Sequence, residues 1–171
     1  MGLIQIYTGD GKGKTTAALG LALRACGHGL RTYLGQFLKR RSCGEMYAAK
    51  KLAPYLTIEQ YGLDEYICKV KVTSEQKAAA RHGLAKARQA LVSTHYDIVV
   101  LDEINVAINY GFLVDEEVLE LMNSKPPQLE LVMTGRKAPQ SIVDRADLVT
   151  EMREVKHPFS QGIRARIGIE F

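Results

Sequence analysis

Thr8-Gly9-Asp10-Gly11-Lys12-Gly13-Lys14-Thr15-Thr16 follows the apolar run Leu3-Ile4-Gln5-Ile6-Tyr7 and opens an Ala/Leu-rich segment over residues 17–25. The order reads as strand, glycine loop, helix. Glycines let successive backbone N–H groups turn toward one small anion, the helix N-terminus adds positive partial charge, and Lys14 adds a full one. Such a loop holds phosphate. Thr15 directly follows that lysine and brings a hydroxyl to the first helical turn, where the serine or threonine of a phosphate loop meets magnesium. The expected ligand is therefore a nucleotide with Mg2+.

The spacing departs from the usual G-x-x-x-x-G-K-[ST]. Counting back from Gly13-Lys14-Thr15 puts Thr8 at the first glycine position, with Gly9 one residue late. The dinucleotide fingerprint G-x-G-x-x-G fails too, because Lys14 stands where its third glycine would follow Gly9 and Gly11. The loop is a shortened one.

A chain of 171 residues fits one domain, residues 1–171, with a core that needs no staples. Its formal charge of +4 suits a polyphosphate ligand but falls short of a nucleic-acid stripe, and the basic clusters at Lys39-Arg40-Arg41 and Lys50-Lys51 read as solvated surface. Cys26, Cys43 and Cys68 form no C-x-x-C pair, which points to reduced thiols in a cytoplasmic protein. His28, His82, His95 and His157 lack any zinc spacing. With no basic leader and no apolar span near twenty residues, the expectation is a protein that enters no membrane.

Tyr96-Asp97-Ile98-Val99-Val100-Leu101-Asp102-Glu103 is the second informative stretch. Near-continuous apolar runs are buried parallel strands, and after a phosphate loop an acidic strand end is where a carboxylate reaches magnesium. Read alone, the same residues would mark a helix N-terminus.

The remaining elements fall into place around these two. A first helix is expected over 15–26, stopped by Gly27-His28-Gly29, and a second strand over 31–37 with Gln36, Phe37 and Lys39 at its carboxyl end. A short helix covers 45–52, Pro54 breaks it, and a strand follows over 56–61. Residues 62–72 show no period and read as a lid. Thr73-Ser74-Glu75-Gln76 has the form of a capping box for a long helix to about residue 93. Short connecting helices lead to a strand over 129–135, whose end carries Thr134, Gly135 and Arg136; that arginine suits either a phosphate contact or a surface turn. Residues 148–152 and 163–169 read as two closing strands. The expected fold is α/β and three-layered, P-loop NTPase-like (RecA-like), with a mainly parallel central sheet.

The ordered set of Gly9-Asp10-Gly11-Lys12-Gly13-Lys14-Thr15-Thr16-Ala17-Ala18, Arg24, Gln36-Phe37 with Lys39, Val100-Leu101-Asp102-Glu103, Thr134-Gly135-Arg136, Ala146-Asp147 and Val155-Lys156-His157-Pro158-Phe159 through Gly168-Ile169-Glu170 resembles the bacterial ATP:corrinoid adenosyltransferases. The resemblance runs through nearly the whole chain. It implies transfer of the 5′-deoxyadenosyl group of ATP to the Co(I) of a reduced corrinoid, cobalamin or a precursor, with triphosphate leaving. The family's short loop is associated with ATP lying in reverse orientation. Co(I) is already a strong nucleophile, so the protein's task is alignment and stabilisation of leaving-group charge.

By the same resemblance, Gly9, Asp10, Gly11, Lys12, Gly13, Lys14, Thr15 and Thr16 cradle the triphosphate, with Lys14 the catalytic cation and Arg24 reaching toward the nucleotide. Thr15 and Glu103 hold Mg2+, with Asp102 close behind. Aromatic residues that help remove the lower cobalt ligand are sought at Phe37, Tyr61 and Tyr66, in a chain that contains no tryptophan. A homodimer and a reductant protein such as a flavodoxin are further implications. The competing readings are a P-loop kinase or ATPase working at the γ-phosphate, a non-catalytic corrinoid or nucleotide binder, and a RecA-like nucleic-acid motor.

Overall fold

The computed structural model describes residues 1–63 and 72–170. Six parallel strands form one sheet in the order β3-β2-β4-β5-β1-β6: β1 Ile4–Thr8, β2 Thr32–Phe37, β3 Leu56–Tyr61, β4 Ile98–Asp102, β5 Glu130–Thr134 and β6 Leu148–Glu151. Because all pairings are parallel, every carboxyl end points to one edge. The strand carrying the glycine loop and the strand carrying Asp102 are not neighbours, since β5 lies between them.

Alternation along β4 explains the layers. Ile98 and Val100 face one side with Ala18, Ala22 and Ala25 of α1 (Lys14–Cys26) and Ala49 of α2 (Gly44–Lys51). Val99 and Leu101 face the other, against α3 (Ser74–Val92), α4 (Ile104–Asn109), α5 (Asp115–Asn123) and α6 (Gln140–Val143). Alanines on α1 let that helix lie close to the sheet. The opposite face is filled by larger side chains, among them Phe37, Leu91, Phe112, Leu121 and Met133. Burial of both sheet faces is what the uninterrupted apolar β4 requires.

Most expected boundaries hold within a residue or two. Thr73 caps α3: its hydroxyl accepts the Gln76 N–H at 3.2 Å, and the Gln76 amide oxygen accepts the Thr73 N–H at 3.0 Å. The expected lid falls largely on residues 64–71, outside the described residues.

The last expected strand does not form. The alternation over 163–169 has nothing apolar to face, since Ile163, Ile167 and Ile169 are all exposed. Gly162 and Gly168 both take φ near +77°, which turns the chain out of an extended path. Arg166 donates from its backbone and its guanidinium to Glu170, closing a turn. The sheet therefore ends at β6, and the tail folds back toward the glycine loop.

Candidate active site

β1 delivers the loop and α1 receives it. Gly9 and Gly13 have φ of 88° and 121°, and Gly13 immediately precedes α1. The glycines have a second reason: a Cβ on Gly9 would lie 2.4 Å from the Met152 carbonyl oxygen, and one on Gly11 2.7 Å from that of Arg153. Chain leaving β6 runs behind the loop and bonds to it, with Gly11 N–H donating to Met152 O at 2.7 Å. The loop is thus held by the edge strand as well as by its own strand. Thr8, at the missing glycine position, accepts the Ala138 N–H through its hydroxyl at 3.2 Å. It ties β1 to the turn after β5.

Among the described residues no side chain caps α1, and its first turn carries no acid. Its leading N–H groups therefore lack a side-chain acceptor and face the loop's concavity with the helix dipole behind them, the ordinary form of an anion site. Lys14 is buried, and its ammonium donates to the carbonyls of Gly9 and Gly11, both at 2.7 Å. Burial, then the nearby Arg136, lowers its pKa; Glu103 and Asp10 act in the opposite direction. Arg136 lies 3.9 Å from Asp10, so both flank the mouth of the loop.

Asp102 gathers the site. It is fully buried, and each of its oxygens takes two donors: Oδ1 accepts the hydroxyls of Thr15 at 2.7 Å and Thr134 at 2.8 Å, while Oδ2 accepts Gln36 Nε2 at 3.2 Å and Lys39 Nζ at 3.3 Å. The ends of β2, β4 and β5 and the start of α1 are joined at one carboxylate. Thr134 also accepts the Glu103 N–H at 3.0 Å, fixing the residue after β4. Glu103 takes φ of 63°, and its carboxyl is pushed above the usual range by burial and then by the charge of Asp102. Lys39 also lies 3.7 Å from Glu45 of α2. Burial works against its charge, but Asp102 and then Glu45 outweigh that and raise its pKa.

The expected residues are not all brought together. Gly9 through Thr16 and Glu103 converge. Asp102, expected behind Glu103, is the carboxylate that contacts Thr15 directly. Arg24 lies in the last turn of α1, about 15 Å along the axis from Lys14 by the rise of an α-helix, so the helix carries it away from the loop. Phe37 is fully buried and Tyr61 nearly so; their rings pack 5.9 Å apart in the core. Tyr61 also bonds through its hydroxyl to Tyr33 and Glu59, so both rings serve the core rather than an open surface. Tyr66 lies outside the described residues.

Sequence reading missed Glu45, whose carboxylate accepts Gln36 Nε2 at 2.9 Å, and Glu170, whose carboxylate sits 2.9 Å from Lys12. Glu170 carries a signal only as the last residue of the Gly168-Ile169-Glu170 motif, just past the strand expected over 163–169. Beside the site a cleft of about 420 Å3 runs between α1 and α2, with Thr15, Lys39 and Glu45 at its polar end, Leu19, Leu23 and Leu52 along its wall, and Gly168–Glu170 across it. Among the described residues no group of three or more His, Cys, Asp or Glu side chains forms a metal cage. Thr15 and the two carboxylates are hard oxygen donors beside an anion site, which suits Mg2+ completed by phosphate and water.

A parallel sheet with β5 between the loop strand and the acidic strand has the P-loop, RecA-like fold. Two solved structures share the fold: a KaiC-like protein from the archaeon Pyrococcus horikoshii, with a TM-score of 0.58 at 16% identity over 90% of this chain and 74% of that one, and a RadB recombinase, with 0.56 at 13% over 91% and 76%. More specifically, the pattern of the family described as ATP:corrinoid adenosyltransferase BtuR/CobO/CobP matches residues 1–171, and the chain belongs to that family. The corrinoid adenosyltransferase of Escherichia coli K12 is 37% identical, over 99% of this chain and 86% of its own length. Corrinoid adenosyltransferases of Salmonella typhimurium and Pseudomonas aeruginosa are 36% and 34% identical, over 99% of this chain and 86% and 84% of theirs.

Proposed function

We propose that this chain transfers the 5′-deoxyadenosyl group of ATP to the cobalt of a reduced corrinoid. Membership of the adenosyltransferase family over all 171 residues supports the reaction class. The observation in the site that carries the reading is the convergence of Lys14, Thr15, Asp102 and Glu103 on one edge of the sheet, around an uncapped helix N-terminus. That arrangement binds a triphosphate end-on. A triphosphate bound as leaving group needs the ribose 5′-carbon turned outward, and the shortened loop fits the reversed nucleotide associated with this family.

In the transfer, the electron pair of Co(I) forms a cobalt–carbon bond at the 5′-carbon, and the carbon–oxygen bond breaks with its pair going to triphosphate. The cobalt supplies the nucleophile. What the protein adds is alignment and charge: Lys14, Lys12 and the amides of residues 9–16 bear the growing negative charge on the leaving oxygen and its neighbours. Thr15 with Asp102 or Glu103 would hold Mg2+, which neutralises triphosphate when bound. Arg136, beside Asp10, is placed to meet the outer phosphates.

The corrinoid approaches from the open carboxyl edge, since both faces of the sheet are covered. We propose a cytoplasmic enzyme that works as a homodimer and receives its electron from a reductant protein such as a flavodoxin. No helix among the described residues is long and apolar enough to cross a membrane. Phosphorus NMR of reaction mixtures with MgATP and reduced cobalamin tests the assignment. Triphosphate as the phosphate product supports it, whereas ADP with phosphate would favour action at the γ-phosphate.

A further inference from the structure

The Asp102 carboxylate has about four acceptor directions, and four donors fill them. A divalent cation that takes an Asp102 oxygen directly must displace one of these donors. Thr134 is fully buried and also holds the Glu103 N–H, and Gln36 is fully buried and tied to Glu45 and Gln60. Thr15 is on the turn that itself meets the nucleotide. Lys39 differs from all three: it makes the longest contact at 3.3 Å, it is the charged donor of the four, its side chain is 28% exposed, and its second carboxylate, Glu45, lies farther off at 3.7 Å. It also lines the polar end of the cleft beside Thr15 and Thr16. A long flexible stem lets an ammonium swing without moving backbone.

We propose that Lys39 is an exchangeable counter-cation of this site: it holds the Asp102 carboxylate until a divalent cation takes its place, and then turns to the nucleotide's triphosphate as a binding residue. Two cations cannot share one buried oxygen pair without repulsion, so magnesium and the Lys39 ammonium compete for Asp102. The triphosphate is the polyanion within reach of the displaced ammonium. Lys39 thereby couples the arrival of the metal to the grip on the nucleotide. This inference rests on the nucleotide site proposed above and adds a residue with opposite effects on its two ligands.

Those opposite effects are the test. ATP binding by the full chain is measured calorimetrically at a series of free Mg2+ concentrations for wild type, Lys39→Met and Lys39→Arg, with melting temperatures recorded alongside. Lys39→Met should weaken ATP binding at saturating Mg2+ about tenfold, about 1.4 kcal/mol. It should also lower the Mg2+ concentration at half-effect several-fold, because the competing ammonium is gone. Lys39→Arg should restore both toward wild type.

A Lys39→Met protein with unchanged ATP affinity and an unchanged Mg2+ midpoint would overturn the proposal. So would one in which both ligands bind more weakly together, the pattern of a merely structural lysine. If Lys39→Met does not fold, Lys39→Gln takes its place in the same comparison. Wild-type protein that binds MgATP with the predicted Lys39 dependence yet transfers no adenosyl group would sink the transferase reading and leave this one standing.

Discussion

The Thr15 hydroxyl donates to Asp102 Oδ1 at 2.7 Å across 87 residues of chain. One contact thus joins the first turn of α1 to the end of β4, although β5 separates β1 from β4 in the sheet. Thr134, at the end of β5, bonds the same oxygen and spans that gap. The glycine loop and the acidic strand are therefore set relative to each other by side chains at the edge, as well as by sheet register.

Asp102 is accordingly part of the fold as well as of the site. Asp102→Ala takes the acceptor from the Thr15 and Thr134 hydroxyls and leaves the Gln36 amide and the Lys39 ammonium with Glu45 alone, and removing one partner of such a charged cluster costs about 3 kcal/mol. Urea denaturation should show that loss as a lower midpoint at unchanged slope. A variant as stable as wild type would mean the four donors find other partners.

Glu103 should behave differently. Its pKa is raised, so ionising it is harder in the folded chain than in the unfolded one, and above both values its charge works against folding. Glu103→Gln should leave the melting temperature at neutral pH unchanged or slightly higher, with any gain disappearing as the pH falls below the ordinary carboxylate value of 4.5. Adenosyl transfer should nonetheless fall about a hundredfold if Glu103 helps hold the metal on the leaving triphosphate. Thermal melts at two pH values and a turnover assay separate the two effects.

Glu170 crosses from the tail to the loop, 2.9 Å from Lys12. Both side chains are in contact with water, so the pair adds little to stability. Its effect should appear in binding: Glu170→Ala leaves Lys12 without its carboxylate partner and should tighten triphosphate binding several-fold, measured with inorganic triphosphate, while the melting temperature holds. Weaker binding would instead make Glu170 an ordering strut for the loop.

Tyr61 owes its place to a glycine on α3. A Cβ on Gly83 would lie 2.7 Å from the Tyr61 ring, at the end of the edge strand β3. Alanine improves helix propensity by about 1 kcal/mol, but overpacking costs about 1–3 kcal/mol. Gly83→Ala should therefore destabilise the protein in chemical denaturation, and the companion change Tyr61→Leu should recover part of the loss.

The loop, the acidic strand and the three-layered α/β class were legible in the sequence because each has its own local signature. Glycines precede a lysine and a helix, an apolar run ends in two acids, and strand-like and helix-like stretches alternate along the chain. What was not legible depended on pairing between distant segments. The alternation of Ile163, Ile167 and Ile169 has strand period, but only the sheet decides whether an edge is there to receive it. Which of two adjacent acids meets Thr15 was likewise set by Thr134 on a third strand. Phe37 and Tyr61 have the composition of a ligand surface, and it is packing on α3 that commits them to the core.

In adenosyl transfer the 5′-carbon of ATP becomes bonded to cobalt. The direct test incubates the chain anaerobically in the dark with MgATP isotopically labelled at the ribose 5′-carbon and chemically reduced cobalamin, then separates the corrinoid. Adenosyl transfer puts the label on the corrinoid, released by light, with an equal amount of triphosphate, and Lys14→Ala lowers the rate about a hundredfold or more. Label that stays with adenosine phosphates, for cobalamin and for cobinamide alike, would contradict it.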